Sequence, residues 1–133
     1  MITAVFDTNI LISAFISKGA PYQAMISVLD GKVKLCLSSD ILKEFQDVIR
    51  RKKFGFSKEK IEQMVMMVID ISEMADPKEK VNIIEEDPQD NKVIECAIAS
   101  DADYIVTGDP HLLKIKRWKG VKIINVNEFL ELI

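Results

Sequence analysis

Residues 1–15 read MITAVFDTNILISAF. An apolar, β-prone run, Ile2–Phe6, stops at Asp7-Thr8-Asn9, and a second apolar run starts at once with Ile10. The first run predicts a strand and the second a helix over residues 10–16. A carboxylate between two buried segments is costly unless it is paired, hydrogen-bonded or holds a cation. A cap on the following helix is one reading of Asp7 and a share in a metal centre is the other. Which one holds depends on where the other carboxylates fall.

Strands alternate with helices along the rest of the chain. Val33–Leu37 predicts a second strand, residues 81–84 a third, Tyr104–Val106 a fourth and Val121–Ile124 a fifth. Helices are expected over residues 22–29 and over 41–53 behind the caps Ser38-Ser39-Asp40. Another begins at Ser57 and carries Ile61, Met64, Val65, Val68, Ile69 and Ser72 at helical spacing. Residues 88–100 and 110–115 predict two more, and Asn127 is the expected cap of a last one. This alternation predicts an α/β fold with a central parallel sheet, as a single domain over residues 1–133.

The chain's 133 residues suit one domain, and 48% of them are apolar, enough for a core. A net charge of −3 argues against a protein that holds nucleic acid by phosphate neutralisation alone. No apolar run approaches the roughly 20 residues of a membrane span, and the N-terminus lacks a signal-peptide pattern. Cys36 and Cys96 lie in apolar patterns without metal-ligand spacing and read as reduced core thiols. The expectation is a cytoplasmic protein with no membrane partner.

Three of the expected strands end in polar clusters: Asp7-Thr8-Asn9, Glu85-Glu86-Asp87 and Thr107-Gly108-Asp109. In open parallel sheets, sites form beyond the C-terminal strand ends where strand order reverses. If the first and fourth strands are neighbours, Asp7 and Asp109 face one crevice. On the helix over 88–100, Asp90 shares a face with Val93, Ile94, Ala97 and Ile98, and reads either as an N-terminal cap favoured by the helix dipole or as a carboxylate aimed inward at a site. Asn91 beside it reads either as a secondary ligand or as solvent-exposed. Glu44 borders the stripe Ile41, Leu42, Phe45, Val48 and Ile49, where a solvated flank is the alternative. Asp109, before Pro110, reads equally as a helix cap. Four carboxylates about 5 Å apart would repel by roughly 3 kcal/mol per pair at an effective dielectric near 20. Such a cluster stays partly protonated unless divalent cations occupy it. An all-oxygen set suits Mg²⁺ or Mn²⁺, ions that activate water and stabilise a leaving oxygen in phosphodiester cleavage.

The segments VFDTNILISAF, SSDILKEFQDVIRR with Glu44, and DPQDNKVIECAIASDADYIVTGD resemble the PIN-domain nucleases. The resemblance is strongest to VapC-like ribonucleases, the toxins of toxin–antitoxin modules, and it covers essentially the whole chain. It implies a three-layer α/β/α fold with a parallel sheet of five strands in the order 3-2-1-4-5. It also implies an endoribonuclease using Mg²⁺ or Mn²⁺ on single-stranded or structured RNA, with an antitoxin protein as partner and a homodimer as assembly. The family's acidic residues carry over to Asp7, Glu44, Asp90 and Asp109. Asp7, Asp90 and Asp109 would hold the metal, with Glu44 as a further ligand or as the group that orients the attacking water. Thr8, Asn9 and Thr107 match supporting positions, and Asp87 is an auxiliary candidate beside Asn91. A PIN scaffold that binds metal or RNA without cutting, and acts through protein partners, is the alternative.

Candidate RNA contacts are Arg50 and Arg51 at one helix end, and Lys114, Lys116 and Arg117 around Trp118, whose ring could stack on a base. Solvated cations and a packed Trp are the competing readings. Met64, Met66, Met67 and Met74 are expected on one helix, mostly as core, with Met66 and Met67 suggesting a protein contact. A haloacid-dehalogenase phosphatase would need a second Asp where Asn9 stands. His111 is the only histidine, which excludes a two-histidine mechanism; a packing or surface role is expected for it, with a substrate contact as the alternative.

Overall fold

Residues 1–85 and 87–133 are described by a computed structural model; Glu86 lies outside them. At the centre is β1 (Ile2–Phe6), whose last three residues, Ala4, Val5 and Phe6, are all buried. Consecutive residues of a strand point to opposite faces, so both faces of the sheet are covered. β2 (Val33–Leu37) and β4 (Tyr104–Val106) flank β1 in parallel, with Ala4 opposite Leu35 on one side and Tyr104 on the other. β3 (Ser72–Met74) pairs with β2, and β6 (Val121–Ile124) with β4, again in parallel. β5 (Arg117–Trp118) closes the far edge antiparallel to β6. The six strands lie in the order β3-β2-β1-β4-β6-β5.

The helices of the described residues are α1 (Thr8–Ile16), α2 (Ala20–Leu29), α3 (Ser39–Ile49), α4 (Lys58–Ile71), α5 (Pro88–Ala99), α6 (Pro110–Leu113) and α7 (Val126–Glu131). Phe6 of β1 meets Phe129 of α7 edge-on at 5.6 Å, and Phe15 of α1 meets Phe45 of α3 at 5.8 Å. Cys36 and Cys96 are free and buried, and burial pushes the Cys96 thiol up to about 12, so both are core thiols. Among the described residues no helix is long and apolar enough to cross a membrane.

The structure corrects the sequence expectations in several places. Residues 81–84 are not a strand. Three of their backbone donors are taken by side chains of α5: Asn91 Oδ1 accepts from Ile83 and Ile84, each at 3.0 Å, and Glu95 accepts from Val81 at 2.9 Å. The third strand is β3, at the end of the helical pattern, where Leu35, Cys36 and Leu37 offer a partner edge. Met74 therefore sits on that edge strand rather than on a helix. Of the cluster Glu85-Glu86-Asp87, Glu85 and Asp87 end no strand, and Glu86 falls outside the described residues.

The sheet gains a sixth strand because Lys119 and Gly120, at φ 45° and 86°, form a two-residue hairpin turn between Trp118 and Val121. α3 stops at Ile49, not residue 53; Arg51 is extended and only a short 3₁₀ turn, Lys52–Phe54, follows. The last helix is capped by Asn125, not Asn127. Asn125 and Glu128 satisfy each other's backbone N–H groups in a capping box.

Candidate metal centre

Three carboxylates reach one end of the sheet by three local routes. Asp7 follows β1 and caps α1, its Oδ1 accepting from the Ile10 N–H at 3.0 Å. Its own N–H donates to the Val106 carbonyl at 3.1 Å, which ties the ends of β1 and β4 together. Asp109 follows β4 and caps α6 at Pro110, accepting from the His111 N–H at 2.7 Å. Asp90 lies in the first turn of α5, behind the cap Asp87. Each was open to a cap reading, and for Asp7 and Asp109 the cap and the inward placement occur together. Fixing one carboxylate oxygen on a backbone donor aims the other.

Thr107 joins two of the three. Its buried hydroxyl donates to Asp7 Oδ2 and accepts from the Asp109 N–H at 3.0 Å. Burial raises the Asp7 carboxyl above its ordinary range. The hydrogen bonds from Thr107 and Ile10 pull it back, and the charges of Asp109 and Glu44 add to the rise. Asp90 is perturbed more strongly. Burial, then its proximity to the Asp109 carboxylate, then the charges of Asp87 and Asp7 push it up to about 8. Asp90 is 7% exposed, and its Oδ2 has no hydrogen-bond partner among the described residues. A buried, unpartnered carboxylate oxygen facing further acidic groups is what a cation would relieve. The oxygen-rich donor set fits a divalent ion.

Glu44 stands apart. It is half-buried on α3 and opens onto a cleft shared with Asn9, Lys43, Arg51, Gln89 and Lys92. Its charge acts on Asp7 more weakly than that of Asp109 does. Thr8 is buried and Asn9 exposed at the start of α1. Asp87 accepts from the Gln89 N–H at 3.1 Å through Oδ1, and its charge adds to the rise at Asp90. Asn91 does not face the site as a ligand or lie exposed. It is buried, and its amide both accepts from Ile83 and Ile84 and donates to the Ile84 carbonyl at 2.9 Å.

Of the cations considered for RNA, Arg51 lines the Glu44 cleft, whereas Arg50 lines a separate groove against α4. Lys116 and Arg117 line another groove beside β6, and Lys114 is exposed at the end of α6. Trp118 is half-buried in the β5–β6 hairpin, packed on the core with its indole N–H inside. On α4, Met64 is core, while Met66 and Met67 are exposed.

Sequence reasoning missed Glu95, a buried carboxylate bonded to Val81, and Lys92, 3.6 Å from it. Their i, i+3 spacing was the available signal. It also gave His111 a packing or surface role. His111 Nδ1 lies 3.3 Å from Asp109 Oδ1.

The PIN domain family model matches residues 3–111. This chain is a PIN domain. PIN domains are generally nucleases. Two solved structures share this fold. VapBC2 from Rickettsia felis, bound to a DNA fragment from its promoter, superposes with a TM-score of 0.65 at 20% identity, covering 93% of this chain and 98% of that one. PAE2754 from Pyrobaculum aerophilum superposes with a TM-score of 0.61 at 14% identity, covering 98% and 88%. A search of curated proteins gave no match.

Proposed function

We propose that this PIN domain is a metal-dependent endoribonuclease, the toxin of a toxin–antitoxin pair. The observation that carries the reading is Asp90: buried, without a hydrogen-bond partner at Oδ2, and beside Asp109. A structural carboxylate would be paired; this one is not, which supports a role in holding a cation. Asp7, Asp90 and Asp109 would hold Mg²⁺ or Mn²⁺. When bound, the ion supplies charge stabilisation at the scissile phosphate and a more acidic water.

The chain's own residues do the rest. Thr107 fixes the free oxygen of Asp7 and the backbone of Asp109, so the two carboxylates keep one mutual geometry. Glu44, on the open side, orients the incoming water and accepts its proton. Lys43, Arg51 and Lys92 are the cations of the same cleft, interleaved with the acids Asp40, Glu44 and Asp47, and are the groups that would meet phosphates there. The antitoxin partner is supported by the likeness to VapBC2, whose structure is of a complex on promoter DNA.

The test is cleavage of a mixed-sequence single-stranded RNA with Mn²⁺ or Mg²⁺, with EDTA, and with Asp7→Asn and Asp90→Asn. Cutting that needs the metal and both carboxylates is expected. Cutting that survives either substitution would overturn the site. Metal binding by folded protein that cuts neither this RNA nor structured RNAs such as tRNA would favour the non-cleaving scaffold.

A further inference from the structure

One ligand atom from each of Asp90, Asp109 and His111 lies within 4.8 Å of the other two. Two are the carboxylates described above; the third is an imidazole. His111 reaches the cluster through the backbone. Asp109 caps the turn, Pro110 fixes its first dihedral, and the His111 N–H returns to Asp109 Oδ1 at 2.7 Å. The ring then lies with Nδ1 3.3 Å from that same oxygen, and its side chain is 42% exposed. The unpartnered Oδ2 of buried Asp90 is a second, independent observation that points to a cation ligand here.

We propose that His111 is a nitrogen ligand of the metal centre, and that it biases the site toward later divalent transition ions over Mg²⁺. The inference rests on the metal reading of the same site. Mg²⁺ takes oxygen donors and gives up its waters reluctantly, so an imidazole adds little to its binding. Across the first-row series, affinity for mixed nitrogen and oxygen sites rises from Mn²⁺ through Co²⁺ to Cu²⁺, and imidazole suits the later members. An imidazole added to the carboxylates of Asp7, Asp90 and Asp109 therefore makes the set selective where the carboxylates alone would not be. In this arrangement Asp109 both ligates and orients the ring that ligates beside it, a pairing common around metal-bound histidines.

The experiment is electron spin-echo spectroscopy of Mn²⁺ bound to the wild-type chain. It is accompanied by calorimetric titration of Co²⁺ and Mg²⁺ into wild type, His111→Gln and His111→Ala. A directly bound imidazole gives ¹⁴N modulation of the Mn²⁺ echo, and both substitutions should remove it. Co²⁺ affinity is expected to fall by about tenfold or more, with Mg²⁺ affinity changed by less than about twofold. A histidine that merely braces Asp109 gives no directly bound nitrogen. Mn²⁺ that binds without ¹⁴N modulation, with Co²⁺ affinity unchanged in both variants, would overturn the ligand role and leave the metal centre standing. Folded wild-type protein that binds no Mn²⁺ would overturn the centre itself. The wild-type echo does not depend on either variant folding.

Discussion

Replacing Asp90 by Asn should make the metal-free protein more stable at neutral and alkaline pH, while removing its response to metal. Asp90 and Asp109 present carboxylate oxygens within 4.8 Å of each other, a repulsion of about 3 kcal/mol at an effective dielectric near 20 once both are charged. The folded chain avoids this by keeping Asp90 protonated up to about pH 8, whereas the unfolded chain loses that proton near pH 3.9. Between those values the native state binds more protons than the unfolded state, so stability falls as pH rises. One such group gives a slope of at most about 1.4 kcal/mol per pH unit. Asp7, also raised, adds in the same direction.

Chemical denaturation in EDTA should therefore show wild type losing about 1–3 kcal/mol between roughly pH 5.5 and 8. Asp90→Asn should lose less than half of that. Its amide is isosteric and donates to Asp109 instead of repelling it. Mn²⁺ at about 100 times its Kd should return about 2.7 kcal/mol to wild type at pH 8 and almost none to the variant. In thermal scans of a chain this size, each kcal/mol corresponds to about 3–5 °C. A flat pH profile in metal-free wild type, or an equal slope in Asp90→Asn, would refute the reasoning.

Thr107→Val keeps the shape of the side chain but strands Asp7 Oδ2 and the Asp109 N–H; urea unfolding should show a loss of about 1–3 kcal/mol, and a loss below about 0.5 would mean water replaces the hydroxyl. Asn91→Leu leaves the buried donor of Ile84 and the part-buried donor of Ile83 without an acceptor. It should cost about 2–4 kcal/mol and open that segment to limited proteolysis, with an uncut segment as the contrary result. Lys92→Gln with Lys43→Gln should lower the salt dependence of RNA binding, measured by fluorescence anisotropy in EDTA, by about 0.7 in log–log slope for each phosphate no longer neutralised. An unchanged slope would remove the cleft from the RNA path.

Much of the site was legible because its signals are local. A strand that stops at Asp7-Thr8-Asn9, an Asp before Pro110 and a carboxylate on the apolar face of α5 each state their position within one helical turn. The adjacency of β1 and β4, which brings Asp7 and Asp109 together, came from the family resemblance and not from spacing. What was not legible depends on partners far along the chain. Val81-Asn82-Ile83-Ile84 has more strand character than Ser72-Glu73-Met74, but the edge of β2 was available only to the latter. Asn91 and Glu95 decided the matter, and their roles depend on which backbone passes in front of α5. β5 spans two residues and has no periodicity to read. For Asn127, the error was one of competition, since Asn125 lies three residues before Glu128 and completes a reciprocal cap.

The hydrogen bonds from Asn91 and Glu95 give residues 81–84 an unusual allegiance. A loop whose amides are held by one helix opens when that helix leaves, whatever the sheet does. In hydrogen exchange, the amides of Val81, Ile83 and Ile84 should therefore share the protection of α5 and not that of β2 or β3. The same helix carries Asp90. A cation that secures Asp90 would thus quiet a stretch of backbone that never touches it, making the exchange of these three amides a remote reporter of occupancy at the metal centre.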